Sequence, residues 1–185
     1  MRKILILNGP PKSGKDFAAE LMVRVLSEDT VLHFKLASPL KTMAEIIAGI
    51  PSSELERIKD TILPPFGISY RDIQINIFHA LAKPFGDDWL GKVLVNRINE
   101  TDSDTIIISD GGRTIEVNPL IKAFGAKNIS ILQVFRDRCT FDYDIREYIN
   151  DPRLKRYMLF NDGTSNFNIK VIDAMWDFLK GGEAV

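Results

Sequence analysis

The residues with the most specific chemistry lie near the start of the chain, where Gly9, Pro10, Pro11, Lys12, Ser13, Gly14 and Lys15 satisfy the spacing G-x-x-x-x-G-K. Such a loop turns successive backbone N–H groups inward as a nest, and a helix starting directly after it adds unsatisfied N–H groups and the positive end of its dipole. The chemistry this suits is capture of a polyphosphate; a purely structural turn is the alternative. Lys15 would reach the β- and γ-phosphates as a point charge, while Gly9 and Gly14 permit dihedrals and close approach that a side chain would block. Lys12 adds cationic character at the rim or is simply solvated. Asp16 stands where loops of this kind usually carry Ser or Thr to ligate magnesium. Its carboxylate can bind the metal directly or through water, or can serve as a first-turn acid favoured by the helix dipole.

A second acid for magnesium or its water shell is expected after another buried strand, and Asp110 follows the apolar run Thr105 to Ser109. Its alternative is to cap the next turn. Arg136, Arg138 and Arg146 cluster in the segment 136–149, among Asp137, Asp142, Asp144 and Glu147. Mixed charge of this kind is ordinarily a solvated face. Transfer between two polyanions nevertheless needs movable positive charge, and arginine on a closing lid supplies it, with Arg136 and Arg146 the favoured choices.

The elements that must hold these groups follow from periodicity. Lys3 to Asn8 is an apolar run ending at Gly-Pro-Pro, as expected of a central strand stopping at a loop. Asp16 to Leu26 has helical period, Val31 to Leu36 is strand-like, and Ser38-Pro39 reads as N-cap and first-turn proline of a helix over Leu40 to Ala48 that ends at Gly49. Pro51 to Asn99 is a helical insertion with capping patterns at Ser53-x-x-Glu56 and Ser69-x-x-Asp72, interrupted at Pro64-Pro65 and at Pro84-Phe85-Gly86. Thr105 to Ser109, Ile129 to Phe135 and, more weakly, Tyr157 to Phe160 are strands; Pro119 to Phe124 and Thr164 to Lys180 are helices. His33 reads as a packing residue and His79 as a solvated one, while Trp89 and Trp176 are expected in the core. Strand and helix alternate outside the insertion, which predicts an α/β fold: a parallel five-stranded sheet with helices on both faces.

Five segments taken together resemble the bacteriophage deoxynucleoside monophosphate kinases, a P-loop family related in fold to adenylate kinase and dephospho-coenzyme A kinase. They are SGKD (13–16), ASPLK (37–41), FGDDW (85–89), ISDGGR (108–113) and NDGT (161–164), in order over most of the chain. The resemblance implies one domain, with a core of approximately 1–50 and 101–185, a helical acceptor region of approximately 51–100 and a lid of approximately 136–149. It implies a donor site of Gly9, Lys12, Ser13, Gly14, Lys15, Asp16 and Phe17, with Asn161, Gly163 and Thr164 in a loop that touches the donor adenine. Thr164 also reads as a helix N-cap. On the acceptor side it implies Lys41, Arg71, Gln74, Trp89, Asp110 and Arg113, with a guanidinium of Arg71 suited to phosphate. Lys15, Arg113, Arg136 and Arg146 become the catalytic set, and Asp16 and Asp110 the magnesium side.

The expected reaction is in-line transfer of the ATP γ-phosphoryl group to a deoxynucleoside monophosphate. No general base is needed, because the second ionisation of a phosphate ester lies near pH ~6. Two other readings stand beside it. One is a kinase of a small-metabolite hydroxyl, for which Asp110 becomes the base; the other is a nucleotide-binding protein without transferase activity, suggested by Asp16 and by the helix of Pro51 to Leu63, which could serve a partner.

Composition sets the outer limits. The 185 residues, 20.9 kDa, are 45% hydrophobic and 26% charged, as in ordinary globular chains, so long disorder and coiled-coil rods are excluded and one core is expected. Lys+Arg 24 against Asp+Glu 25 gives a net charge of -1, which speaks against a nucleic-acid polymer or an anionic membrane as partner. No run approaches a membrane span, and the single Cys139 fits a reducing compartment, so the expected place of work is the cytoplasm, a host's if the chain is of phage origin. A homodimer is left open.

Overall fold

The computed structural model describes residues 2–27, 31–142 and 145–181. Two compact units can be distinguished, Met1–Leu36 with Gly91–Val185, and Ala37–Leu90.

The first unit is built on the apolar runs. Strand β1 (Lys3–Asn8) is buried from Ile4 onward, and helix α1 (Lys15–Leu26) starts directly after the glycine-rich loop. Strand β2 (Val31–Phe34) is shorter than the expected run to Leu36. Strands β5 (Thr105–Gly111), β6 (Ile129–Phe135) and β7 (Lys155–Phe160) complete a five-stranded sheet in the order β2-β5-β1-β6-β7, every neighbouring pair parallel. Successive side chains of β1 point to opposite faces. Leu5 and Leu7 join a core with Ala18, Ala19 and Met22 of α1 and Phe167, Val171 and Met175 of α7 (Asn166–Lys180). Ile4 and Ile6 are buried on the other face, on the side of α6 (Thr114–Phe124), which packs on β6. Helix α5 (Trp89–Asn99) approaches α6 closely at Gly91, where a Cβ would lie 2.2 Å from the Glu116 carbonyl oxygen.

The chain order places β1 between β5 and β6, with the connections on either side leading away from it. In open parallel sheets ligands bind beyond the carboxyl ends of the strands at such a reversal, and the loop 9–14 lies at that place.

The second unit contains α2 (Ser38–Ala48), α3 (Ser52–Arg57), a hairpin of β3 (Ile62–Leu63) with β4 (Ile68–Ser69), and α4 (Tyr70–Phe85). Ala44, Leu55, Leu63, Tyr70 and Ile73 form its core. The capping pattern at Ser69 is realised in full: Asp72 N–H donates to the Ser69 hydroxyl, and Ser69 N–H donates to the Asp72 carboxylate.

Several boundaries differ from expectation for local reasons. Ala37, not Ser38, holds the N-cap position of α2, and α3 begins at Ser52 after Pro51, so Ser53 caps nothing. Pro84 lies inside the last turn of α4, where it costs a single bond to the preceding turn, and Gly86 closes the helix. Pro119 lies inside α6, which starts five residues earlier than expected because Glu116 and Val117 are buried in its first turn. The cap position of α7 is Ser165, although the Thr164 hydroxyl accepts the Asn166 N–H at 3.2 Å. Trp89 is buried as expected, whereas Trp176 is 43% exposed on the outward side of α7. No helix among the described residues is long and apolar enough to cross a membrane.

Candidate functional site

The loop is shaped by contacts that only glycine allows. A Cβ on Gly9 would lie 2.5 Å from the Val134 carbonyl oxygen, and one on Gly14 would lie 2.4 Å from Asn161 Nδ2, at a φ of +103°. Ser13 N–H donates to the Pro10 carbonyl at 3.2 Å, and Lys12 takes a φ of 65° at the turn. Lys15 is only 6% exposed and folds back so that Nζ donates to the Pro10 carbonyl at 3.3 Å, which holds its charge over the loop. The buried Ser13 hydroxyl has no hydrogen-bond partner among the described residues. A buried polar oxygen in a cradle of glycines beside a buried ammonium is what an incoming phosphate would satisfy.

Asn161 ties the segment 161–164 to this loop. Its Nδ2 donates to the Ser13 carbonyl at 2.8 Å, its Oδ1 accepts from Gly163 N–H at 2.9 Å, and its own N–H donates to the Phe135 carbonyl at 2.7 Å. Thr164 folds onto Asp162, whose carboxyl is held below its ordinary range by hydrogen bonds from the Thr164 hydroxyl and N–H. Phe17 is half exposed and stacks on Phe167 at 6.3 Å between centroids. Arg136 crosses to the loop, with Nη1 donating to the Lys12 carbonyl at 3.3 Å and Nη2 3.8 Å from the position of a Cβ on Gly163. Gly9, Lys12, Ser13, Gly14, Lys15, Arg136, Asn161 and Gly163 are thus brought together.

The acids lie around β2 and β5. Asp16 is exposed and its Oδ1 pairs with Lys35 Nζ at 3.2 Å. Asp110 Oδ1 accepts from Leu36 N–H at 2.6 Å. Both acids act on His33, whose imidazole pKa is lowered by burial and by Lys35, with Asp110, Asp16 and Glu20 opposing; its buried Nε2 has no partner among the described residues. Among the described residues no group of three or more His, Cys, Asp and Glu is placed to hold a metal. A magnesium ion bound together with phosphates needs only one or two carboxylates, a ligand type that Asp16 and Asp110 could supply.

Arg113 turns out to be paired within its own element. Its Nε and Nη2 both donate to Glu116 Oε1, at 3.2 and 3.1 Å, with side-chain exposures of 18% and 10%. Burial pushes the Glu116 carboxyl up, Arg113 opposes and Asp110 reinforces. Arg146 lies over the turn that leads to Arg113: a Cβ on Gly112 would fall 2.5 and 2.6 Å from its Cγ and Cδ. The expected lid contains no helix or strand among its described residues, and Asp144 lies outside them.

The other acceptor-side candidates belong to the second unit. Lys41 pairs with Glu56 at 2.8 Å, Arg71 Nε donates to Asp60 at 2.6 Å, and Gln74 lies one turn after Arg71 on α4. Trp89 stacks on Phe78 at 6.2 Å, and its buried Nε1 has no hydrogen-bond partner among the described residues. Tyr70, buried against Glu56 and Glu45, has its phenol pushed up to about 12.

Sequence reasoning did not single out Lys35, Glu116, Asn8 or Gln133. Only Glu116 carried a local signal, an acid three residues after an arginine at a helix start.

No family model and no curated protein matches the chain. Among solved structures it is similar to an unliganded sugar kinase from Janibacter sp., at 12% identity and a TM-score of 0.51, covering 97% of this chain and 95% of that one. It is also similar to the protein TT1252 of Thermus thermophilus, at 14% identity and a TM-score of 0.51, covering 96% and 98%. These likenesses concern the fold, an α/β architecture with a parallel five-stranded sheet flanked by helices.

Proposed function

We propose that the chain is an ATP-dependent phosphotransferase whose acceptor is a deoxynucleoside monophosphate. The observation that carries the donor half is the loop itself: glycines at the two closest approaches, a buried Lys15 folded over it and an unsatisfied Ser13 hydroxyl inside it. The fold shared with a sugar kinase supports phosphoryl transfer as the reaction class. The acceptor half rests on the resemblance of 37–41, 85–89 and 108–113 to the phage enzymes.

In this reading the loop N–H groups, Ser13 and Lys15 bind the β- and γ-phosphates, and Asn161 with Gly163 flanks the base. Magnesium, held by Asp16 and Asp110, would neutralise charge on the phosphate oxygens. A phosphate oxygen of the acceptor, already anionic near neutral pH, attacks the γ-phosphorus; the bond to the β,γ-bridging oxygen breaks and ADP leaves. Arg113, Arg136 and Arg146 offset the charge that spreads over the transferring group, and Lys41, Arg71, Gln74 and Trp89 hold the monophosphate.

A second reading has one observation in its favour. The pairing of Asn8 with Gly111 sets Asp110 beside the root of the phosphate loop, where a carboxylate could take the proton of a sugar or other hydroxyl acceptor. The test is a coupled assay with ATP, magnesium and a panel of deoxynucleoside monophosphates, ribonucleotides and hydroxyl acceptors. ADP and a deoxynucleoside diphosphate are expected, with turnover lowered about 10³-fold by Lys15→Ala in a chain of unchanged circular dichroism. Product from hydroxyl acceptors alone overturns the acceptor assignment, and ATP binding without any product overturns the enzyme.

A further inference from the structure

Asn8, the last residue of β1, is fully buried and stands directly before Gly9. Burial of a primary amide is costly unless its groups are paired. Here Nδ2 donates to the Gly111 carbonyl at 2.9 Å and to the Glu147 carbonyl at 2.9 Å, while Oδ1 accepts from Ile149 N–H at 2.8 Å. Gln133, opposite Asn8 in the register of β6, is also buried and donates from Nε2 to the Ile149 carbonyl at 2.9 Å. Glu147 N–H completes the pattern by donating to the Gly112 carbonyl at 2.8 Å. The segment 147–149 is therefore a strap at the carboxyl ends of β5 and β1, its backbone groups met by the side-chain amides of Asn8 and Gln133 and by one glycine carbonyl. Within it Ile149 is fully buried, with Cδ1 3.4 Å from the position of a Cβ on Gly111.

Arg146 is the residue before this strap. Its stem rests on Gly112, where any side chain would collide with it. Arg136, by contrast, is exposed and reaches the loop through one 3.3 Å bond to a rim carbonyl. The two arginines are held in different ways: Arg146 is seated on Gly112 directly before the strap whose backbone Asn8 anchors, whereas Arg136 reaches a rim carbonyl of the loop.

We infer that Asn8 and Gly112 are positioning residues for Arg146: Asn8 anchors the strap, Gly112 provides the seat, and together they set the guanidinium in register with the loop and with the turn that carries Arg113. The inference rests on the phosphotransferase reading and adds to it which lid arginine is pre-set, and by what. Asparagine suits the task because it donates twice and accepts once in the bonds above. Aspartate would face two carbonyls with a carboxylate, and leucine would leave all of these backbone partners unmet.

The experiment is a double-mutant cycle on kcat with Asn8→Ala, Gly112→Ala and Arg146→Ala. Misplacing a charge-stabilising group by about an ångström costs about 10²-fold, so each single variant is expected to lose on that order in kcat while its KM for ATP stays within about threefold. The decisive expectation is non-additivity: Asn8→Ala with Arg146→Ala falls no further than Arg146→Ala alone, and so does Gly112→Ala with Arg146→Ala. A residue that merely supports the fold would multiply its loss onto that of Arg146. Multiplicative losses in both cycles overturn the inference. If Asn8→Ala fails to fold, the Gly112→Ala cycle, whose change adds a methyl group and breaks none of the Asn8 bonds directly, decides alone. A wild-type chain that turns over no acceptor ends the phosphotransferase reading and this role with it. Multiplicative losses in a chain that does turn over end only this role.

Discussion

Arg113 shows what a single residue can be made to reveal. Its guanidinium edge is occupied by Glu116 in a poorly exposed pair, and the carboxyl of Glu116 is pushed up by its burial. When the arginine is removed, the carboxylate can take a proton in place of remaining as an unpaired buried charge, so Arg113→Ala should fold. If Arg113 serves the acceptor, its loss removes a charge-assisted contact worth about 1.5–3 kcal/mol, and the acceptor KM should rise about tenfold or more with the KM for ATP nearly unchanged. Steady-state kinetics with each substrate varied in turn check this, and equal rises in both constants would contradict the acceptor-side role. The donor loop was legible because its chemistry is written in consecutive positions, Gly9 to Lys15. Partners brought together by folding were not: Asp16 and Lys35 are 19 positions apart, and Asn8 and Ile149 are 141 apart.

At the scale of elements, the strands that read most clearly were those buried on both faces, β1, β5 and β6, whose apolar runs have no helical competitor. Strand β7 was fainter because its burial alternates, with Arg156, Met158 and Phe160 exposed and Tyr157 and Leu159 buried. The β3–β4 hairpin was not visible at all: each strand has two residues, and Pro64-Pro65 marked only an interruption. Proline was the least reliable boundary, since burial of Val117 and Leu120 carries α6 through Pro119. Glycine was the most reliable, and Gly14 can be tested as the hinge between loop and helix. Its φ of +103° is strained for any other residue, and an added Cβ would meet Asn161 Nδ2 at 2.4 Å, displacing the amide that holds the Ser13 carbonyl. Gly14→Ala should therefore lower stability by about 1–3 kcal/mol and weaken ATP binding more than acceptor binding. Urea unfolding and calorimetric titration measure the two effects; wild-type ATP affinity in this variant would separate the loop from the nucleotide.

For the whole molecule, alternation of strand and helix was enough to anticipate a parallel five-stranded sheet covered on both faces, but not the order β2-β5-β1-β6-β7, because strands of similar apolar character are interchangeable until side chains such as Asn8 and Gln133 meet particular backbone groups. A property that belongs to the entire fold is its response to acid. The carboxyls of Asp60, Asp72, Asp151 and Asp162 are all held below their ordinary value, in each case first by a side-chain hydrogen bond, from Arg71, Ser69, Arg153 and Thr164 respectively. A carboxyl depressed by folding stabilises the native state fully above its unfolded pKa of 3.8, and that contribution is lost as the pH falls through the folded value. Asp151 is the best test because its side chain is 4% exposed and accepts from Arg153 Nε at 2.9 Å and Nη2 at 2.6 Å, while the same Nη2 reaches Asn118 of α6 at 2.8 Å. Glu116, pushed the other way, stabilises on acidification, but it is present in wild type and variant alike and cancels in their difference. Asp151→Asn should therefore unfold at lower urea than wild type at about pH 7, and the gap between the two midpoints should narrow progressively as the pH falls below 3.8. A gap of constant width over that range would show that the Asp151–Arg153 pair contributes by shape alone, and that the acid limb of stability comes from elsewhere in the chain.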